Sequence, residues 1–183
     1  MNREQSMAKL KEHVKNKNLI KHMLAVEVVM RKLAIHFGED EERWATAGLL
    51  HDIDYDQTAD DPARHSLVGG EILAGLDLDD EIVHAVKAHN EYHSIPRESL
   101  MDKALFCADP VTGLIVASAL IHPDKKLAPI DTQFVMKRFY EKSFARGAKR
   151  ETIEACSELG LSLEEFITIA LEGMKEVSKE IGL

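Results

Sequence analysis

Apolar residues recur every three or four positions along most of the chain, the spacing of one helix face, and no stretch reads convincingly as a strand. Residues 3–15 predict a short amphipathic helix. Asn18 is expected to cap a second, which carries Leu19, Met23, Val26, Met30, Leu33 and Phe37 on one face. Gly38 is expected to end it in the left-handed conformation. Residues 41–52 predict a third helix, central because its second half, Ala45-Thr46-Ala47-Gly48-Leu49-Leu50, is almost wholly apolar. Asp60 or Asp61 before Pro62 reads as a cap followed by a first-turn proline, starting a helix that runs to about Leu76. Residues 79–92 form the next, with Ile82, Val83 and Val86 inward, and Pro96 breaks the chain. A long helix is expected from about Glu98 to Ile121. Pro110 lies inside it and disfavours helical geometry at Asp109, which predicts a kink or break there. Pro123 and Pro129 bracket a loop, and helices of about 131–143 and 149–159 follow, the second ending at Gly160. Ser162 and Glu165 make a capping box for the last helix, stapled by Leu161 and Phe166. Its inward stripe is Leu163, Phe166, Ile167, Ala170, Leu171, Met174, Val177 and Ile181. The fold class is therefore all-α, a helical bundle, and 183 residues predict one domain.

Composition changes this picture little: 45% hydrophobic and 30% charged residues are ordinary for a globular chain. Arg3, Lys9, Lys11, Lys15 and Lys17 interrupt the start, so no signal peptide is expected. The longest apolar-leaning run, Val111 to Ile121, is interrupted and too short to span a bilayer. Cys107 and Cys156 fit no metal-binding spacing, and a reduced, cytoplasmic location is expected. Charge adds more. A net charge of −9 argues against non-specific nucleic-acid or membrane binding as the main task. Between Lys125 and Arg150, however, eight Lys and Arg (Lys125, Lys126, Lys137, Arg138, Lys142, Arg146, Lys149, Arg150) face Asp131 and Glu141, which leaves that segment at +6 and the rest at −15. These residues are either solvated helix faces or, in part, an attraction for phosphates near a site.

The candidate chemistry sits at His51-Asp52, on the edge of the apolar run. An imidazole beside a carboxylate is costly to bury unless something binds both, and a divalent cation is such a partner. His22, His65, His89 and Asp109 supply further donors. Each falls on or beside an inward stripe: His22 with Val26, Val29 and Leu33, His65 with Val68, Ile72 and Leu76, His89 after Ile82 and Val86, and Asp109 with Leu105, Thr112 and Val116. The set is oxygen and imidazole nitrogen without thiolate. That suits one or two ions of Fe, Mn, Co, Ni or Zn better than a sulfur-rich structural zinc site. Any one of these histidines alone is more often a hydrogen-bonded core residue. His65, near a helix start, has a second reading in which it only touches substrate. His84 and His93 compete with His89, although His93 falls in an exit loop. His13, His36 and His122 read as ordinary surface or loop residues. Asp54 and Asp56 either orient ligand histidines or are solvated. Lys103, six residues before Asp109, either points toward the same side and meets a phosphate oxygen or is an exposed lysine.

The words Ala47-Gly48-Leu49-Leu50-His51-Asp52-Ile53, His65-Ser66-Leu67-Val68-Gly69-Gly70 and Asp102-Lys103-Ala104-Leu105-Phe106-Cys107-Ala108-Asp109 carry a resemblance. In that order, with His22 before them and His89-Asn90 between, the chain resembles the HD superfamily of metal-dependent phosphohydrolases, in its six-ligand, two-metal type. The resemblance covers about residues 19–121 and implies an HD-type core there with a C-terminal helical extension over about 122–183. It implies that Asp52 bridges two metals and that a water bound there attacks a phosphate ester. The substrate is then a nucleotide or related phosphate-containing small molecule, with no specific nucleic acid and no membrane as partner. Two alternatives keep the same scaffold: a di-iron oxygenase, which a substrate-clamping loop would favour, and a non-catalytic nucleotide-binding module, which a missing ligand would favour.

Overall fold

Helix α2 (Lys17–Phe37) begins two residues earlier than Asn18 as its cap would allow. Asn16 caps it, its side-chain oxygen accepting from the backbone N–H groups of Asn18 and Leu19 at 2.9 and 3.4 Å. A cap must reach forward two or three residues, and both asparagines satisfy that pattern on paper. Every residue from Met23 to Met30 is buried, so α2 is a central helix rather than a surface one, and Gly38 ends it at φ 72° as expected. The computed structural model describes residues 1–141 and 143–183; Lys142, one of the eight basic residues of the 125–150 segment, lies outside them. Among the described residues the chain is helices and turns without a β-strand.

Helix α1 (Arg3–His13), closed by an Asn2–Gln5 capping box, packs on α3 (Glu41–Leu50), which Asp40 caps. Helix α3 lies hard against α2. A Cβ at Gly48 would stand 2.8 Å from the carbonyl oxygen of Val26, so only glycine admits this approach. The contact places His51, three residues on, beside His22.

The chain then departs from expectation. Helix α4 (Tyr55–Thr58) is a single turn, and the helix expected from Pro62 to Leu76 shrinks to α5 (Leu67–Ala74). The cause is tertiary. The buried Asp54 carboxylate takes the N–H of Ser66 at 2.8 Å, and Ser66 sits at φ 69°, outside any helix. His65 therefore lies in a turn, not on a helix face. Helix α6 (Asp80–Ala88) buries Ile82, Val83 and Val86 and stops at His89; Glu91–His93 is a separate 3-10 turn.

Helix α7 (Leu100–Ile121) starts at a Ser99–Asp102 capping box and continues through Pro110, where a kink or break was expected. Proline forfeits one backbone bond, and packing on α2, α3 and α6 outweighs that local cost. By length and composition α7 could cross a membrane, since its apolar stretch reaches back to Leu100; 61% of its most apolar window is buried against the other helices, as in a core helix.

Helix α8 (Thr132–Phe139) is shorter than the 131–143 expected, and α9 (Arg150–Glu154) passes into a 3-10 turn, Ala155–Leu159, closed by Gly160 at φ 77°. Helix α10 (Leu163–Glu176) has the expected Ser162–Glu165 box, and α11 (Ser178–Ile181) ends the chain. The stripe Phe166, Ile167, Ala170, Leu171 and Met174 is buried where α10 packs on α2, α7 and α8, so both ends of the chain share one apolar cluster. Cys107 and Cys156 are buried free thiols, and burial pushes the Cys156 thiol up to about 11.

Candidate metal centre

Five segments meet at Asp52. Helix α2 brings His22, the turn after α3 brings His51 and Asp52, the turn before α5 brings His65, the end of α6 brings His89, and α7 brings Asp109. All four histidines turn Nε2 toward the Asp52 carboxylate, and its two oxygens divide them. Oδ2 is 3.8 Å from His22 Nε2 and 3.5 Å from His51 Nε2. Oδ1 is 3.4 Å from His65 Nε2 and 3.5 Å from His89 Nε2. Asp109 joins the first set, with Oδ1 3.1 Å from His22 Nε2 and 3.8 Å from His51 Nε2. Adjacent rings stand nearly edge to face, with centroids 5.1 Å apart for His22–His51 and 5.2 Å for both His51–His89 and His65–His89.

Each ring is held from behind. His51 Nδ1 lies 2.8 Å from the carbonyl of Gly48, and His89 Nδ1 lies 2.6 Å from that of Val86. These carbonyls only accept, so both Nδ1 atoms carry the proton and both Nε2 atoms present lone pairs. The Thr112 hydroxyl donates to the Asp109 carbonyl at 2.9 Å and so accepts from His22 Nδ1 at 3.1 Å, which fixes the same tautomer. Asp54 Oδ1 sits 3.2 Å from His65 Nδ1. Such outer partners orient metal-binding imidazoles.

Asp54 and Asp56 thus part ways. Asp54 is buried, and Gly69 lets the α5 backbone approach it: a Cβ there would stand 3.1 Å from Oδ1. Burial alone would raise its pKa. The hydrogen bond and charge of His65, with the backbone N–H groups of Gly69 and Ser66, outweigh that and hold the carboxyl below its usual range. Asp56 is exposed and accepts from the backbone of Lys15 and Asn16, so it ties down the α1–α2 link instead.

The donor set fits a cation. His51 is wholly buried, and its Nε2 has no hydrogen-bond partner, an orphaned acceptor aimed at two carboxylates. Burial pushes the His51 pKa down, against the pull of Asp52 and Asp109, and keeps the ring neutral. For His22 and His89 burial acts the same way, but the Asp109 and Asp52 carboxylates facing them prevail and raise them. Asp52 and Asp109 are lowered, burial being overcome by the surrounding imidazoles. The triads His22–His51–Asp109 and His51–Asp52–His89 each bring their ligand atoms within 4.8 Å of one another.

Two cavities of about 210 and 310 Å³ open on Asp109. Their far wall is Ala145 to Lys149, a loop no helical pattern predicted. Arg150 organises it, donating to the carbonyls of Phe139, Phe144, Ala145 and Ala148 at 2.8, 2.6, 3.2 and 2.5 Å. Ala145 is held at φ 44°, a conformation that alanine avoids.

Lys103 lines neither cavity. Six residues turn a helix by about 600°, which leaves Lys103 about 120° away from the Asp109 face, so the expectation of a shared side fails on helix phase. The basic side chain at the mouth is Lys149, hidden in sequence among its seven neighbours of like charge. Asn90 was also missed as an anchor. Its amide donates to the carbonyls of Pro62 and His65, both at 3.1 Å, and locks the His65 turn to the end of α6. His93 bonds the His65 carbonyl at 2.8 Å and does not face the cluster; His84 turns away to Asp102 at 3.0 Å.

The family profile of the HD domain matches residues 19–129. Among curated proteins, Ribonuclease Y of Oleidesulfovibrio alaskensis is 30% identical over 98 residues, 54% of this chain and 18% of the relative. Ribonuclease Y of a Sulfurovum species is 26% identical over 167 residues, 90% of this chain and 32% of the relative. Ribonuclease Y of Lactobacillus acidophilus is 24% identical over 180 residues, 96% of this chain and 33% of the relative. The chain therefore spans at most about a third of the length of these relatives. No solved structure matches it.

Proposed function

The chain belongs to the HD domain superfamily of metal-dependent phosphohydrolases, and on that premise we propose that it hydrolyses a phosphate ester at a centre of two divalent transition-metal ions held by His22, His51, Asp52, His65, His89 and Asp109. The observation that carries this reading is the division of labour at Asp52: one carboxylate oxygen faces His22 and His51, the other faces His65 and His89. Bound ions of this class act as Lewis acids that lower the pKa of water and neutralise phosphoryl charge. The protein supplies the rest. Asp52 joins the two halves, Asp54 and Thr112 fix the faces of His65 and His22, and Asp109, which lines both cavities, stands where a phosphate would arrive.

For the substrate we favour a ribonucleotide phosphodiester or a nucleotide. The relatives' name, Ribonuclease Y, supports an RNA substrate rather than only a small molecule. The net charge of −9 favours a short substrate over a long polyanion. The test is metal analysis of the purified chain, followed by assay on mononucleotides, dinucleotides and short RNA with and without O₂. The expected result is two transition-metal ions per chain and phosphoester cleavage without O₂. Consumption of O₂ without cleavage would transfer the assignment to oxygenase chemistry.

A further inference from the structure

We infer that Lys149 is the cation that binds substrate phosphate at this centre, and that Glu91 holds its place until substrate arrives. The inference rests on reading the His/Asp cluster as a phosphohydrolase centre. In the cavity of about 210 Å³, His65, His89 and Asp109 form one side, and Gly147, Lys149 and Thr152 contribute to the other. Among the described residues, Lys149 is the one Lys or Arg that lines either cavity at Asp109. Its ammonium group pairs with the Glu91 carboxylate. The pair joins two distant places: Glu91 follows His89 directly after Asn90, and Lys149 ends the loop that walls the cavity.

Charge explains why such a lysine is needed. A phosphate approaching a chain of net charge −9 meets Asp109 and Glu91 at the mouth. Without a cation there, the field opposes entry until the anion reaches the metal centre. A lysine ammonium suits this task as a mobile point charge.

The pair is also poorly suited to a purely structural role. Its side chains are 60% and 51% exposed, and ion pairs in water at that exposure contribute little to stability. A phosphate monoester, with more charge and more acceptor oxygens than a carboxylate, displaces Glu91 easily, and a diester, with one charge, exchanges for it on about equal terms. In the free protein the pair keeps the mouth nearly neutral and Lys149 close to its working position. When substrate binds, Lys149 exchanges one anion for another and Glu91 is released to solvent.

The test measures inorganic phosphate binding by calorimetry to the full chain with Mn²⁺ present. Wild type, Lys149→Ala, Lys149→Arg, Glu91→Gln and the Glu91→Gln/Lys149→Ala double variant are compared, with thermal melts to show that each is folded. Lys149→Ala should weaken phosphate about tenfold, the loss expected for one charge-assisted bond. Lys149→Arg should recover most of it. Glu91→Gln should tighten binding about two- to threefold by removing the competitor, and should do nothing once Lys149 is absent. In hydrolysis the same variants should move KM and leave kcat nearly constant. An unchanged phosphate affinity in Lys149→Ala would overturn the proposal. Equal tightening by Glu91→Gln in both backgrounds would also overturn it, because Glu91 would then act by repulsion alone. A wild-type protein that retains no metal and cleaves nothing would instead defeat the reading of the centre, while phosphate affinity would still report on Lys149.

Discussion

The two sides of the cavity are built on opposite principles. On the side of α2, α3, α6 and α7, side chains do the chemistry, and the backbone holds them: His51 and His89 each lean on a carbonyl three residues back in their own chain. On the 145–149 side a side chain holds the backbone: Arg150 gathers the carbonyls of the loop, and the loop presents Gly147 and Lys149 to the cavity. A donor cluster that must keep several imidazoles aimed at one carboxylate gains from short, local restraints. A wall that must accept and release a substrate can rest on one guanidinium at its margin. The comparison predicts that lesions on the first side remove metal, and that lesions on the second spare metal and weaken substrate binding.

The largest effect should come from Asp52. Asp52→Ala removes the carboxylate that faces all four histidines and leaves buried imidazoles without their shared partner. Metal content by mass spectrometry should fall to background, and hydrolysis with it. His51→Ala should do the same, since its orphaned Nε2 has no other role in the fold. Retention of two ions in either variant would break the comparison at its strongest point.

Asp54→Ala comes next, because His65 is the one proposed ligand that it contacts. It removes the acceptor behind the ring and the bond that keeps Ser66 in its turn. Loss of such an outer partner costs about 10- to 100-fold in metal affinity. The loss should fall on one ion of the two, visible as a biphasic metal titration. Uniform weakening of both sites would show that the two halves at Asp52 are not separable.

Asp54 also shows how far the sequence could be read. The ligand types announce themselves, because histidine and aspartate at the margin of apolar stripes are rare and chemically expensive. The Ser162–Glu165 capping box and the α10 stripe are equally plain, since they are local patterns read by local rules. What stayed hidden depends on contacts between distant residues. Asp54 and Asp56 are two residues apart at the start of α4, and only tertiary structure buries one and exposes the other. Asp61-Pro62 has a helix-start pattern, but Asp54 claims Ser66 and the helix begins later. Lys149 is indistinguishable by type from the basic residues around it, and Lys103, chosen by its distance to Asp109, was out of phase.

On the other side, Arg150→Ala removes the hub of the 145–149 wall. Several charge-assisted bonds to carbonyls disappear together, and a stability loss of about 2 kcal/mol is expected, or roughly 4–8 °C in Tm for a chain of this size. Two bound ions should remain, and KM should rise several-fold as Gly147 and Lys149 lose their places. Metal loss parallel to the KM change would show that the wall and the cage are one unit.

The smallest expected effect sharpens the comparison most, because it targets the point where the two principles meet. Thr112 is buried on α7, and its hydroxyl donates to the Asp109 carbonyl while accepting from His22. It therefore sets the tautomer of one donor and touches the backbone of another, although it binds nothing itself. Thr112→Val keeps the shape and removes the oxygen. His22 Nδ1–H then lacks its acceptor, and the ring is free to turn or to shift its proton to Nε2, where no cation can bind. Metal affinity should fall about tenfold, the low end for an outer partner, with the larger share at the ion shared by His22, His51 and Asp109. Thr112→Ser should restore it, since serine returns the oxygen without the methyl group. Nitrogen chemical shifts of His22 would read the tautomer directly in both variants. If Thr112→Val leaves the tautomer and the affinity unchanged, His22 is oriented by Asp109 alone, and the restraint from behind is a property of the other three histidines.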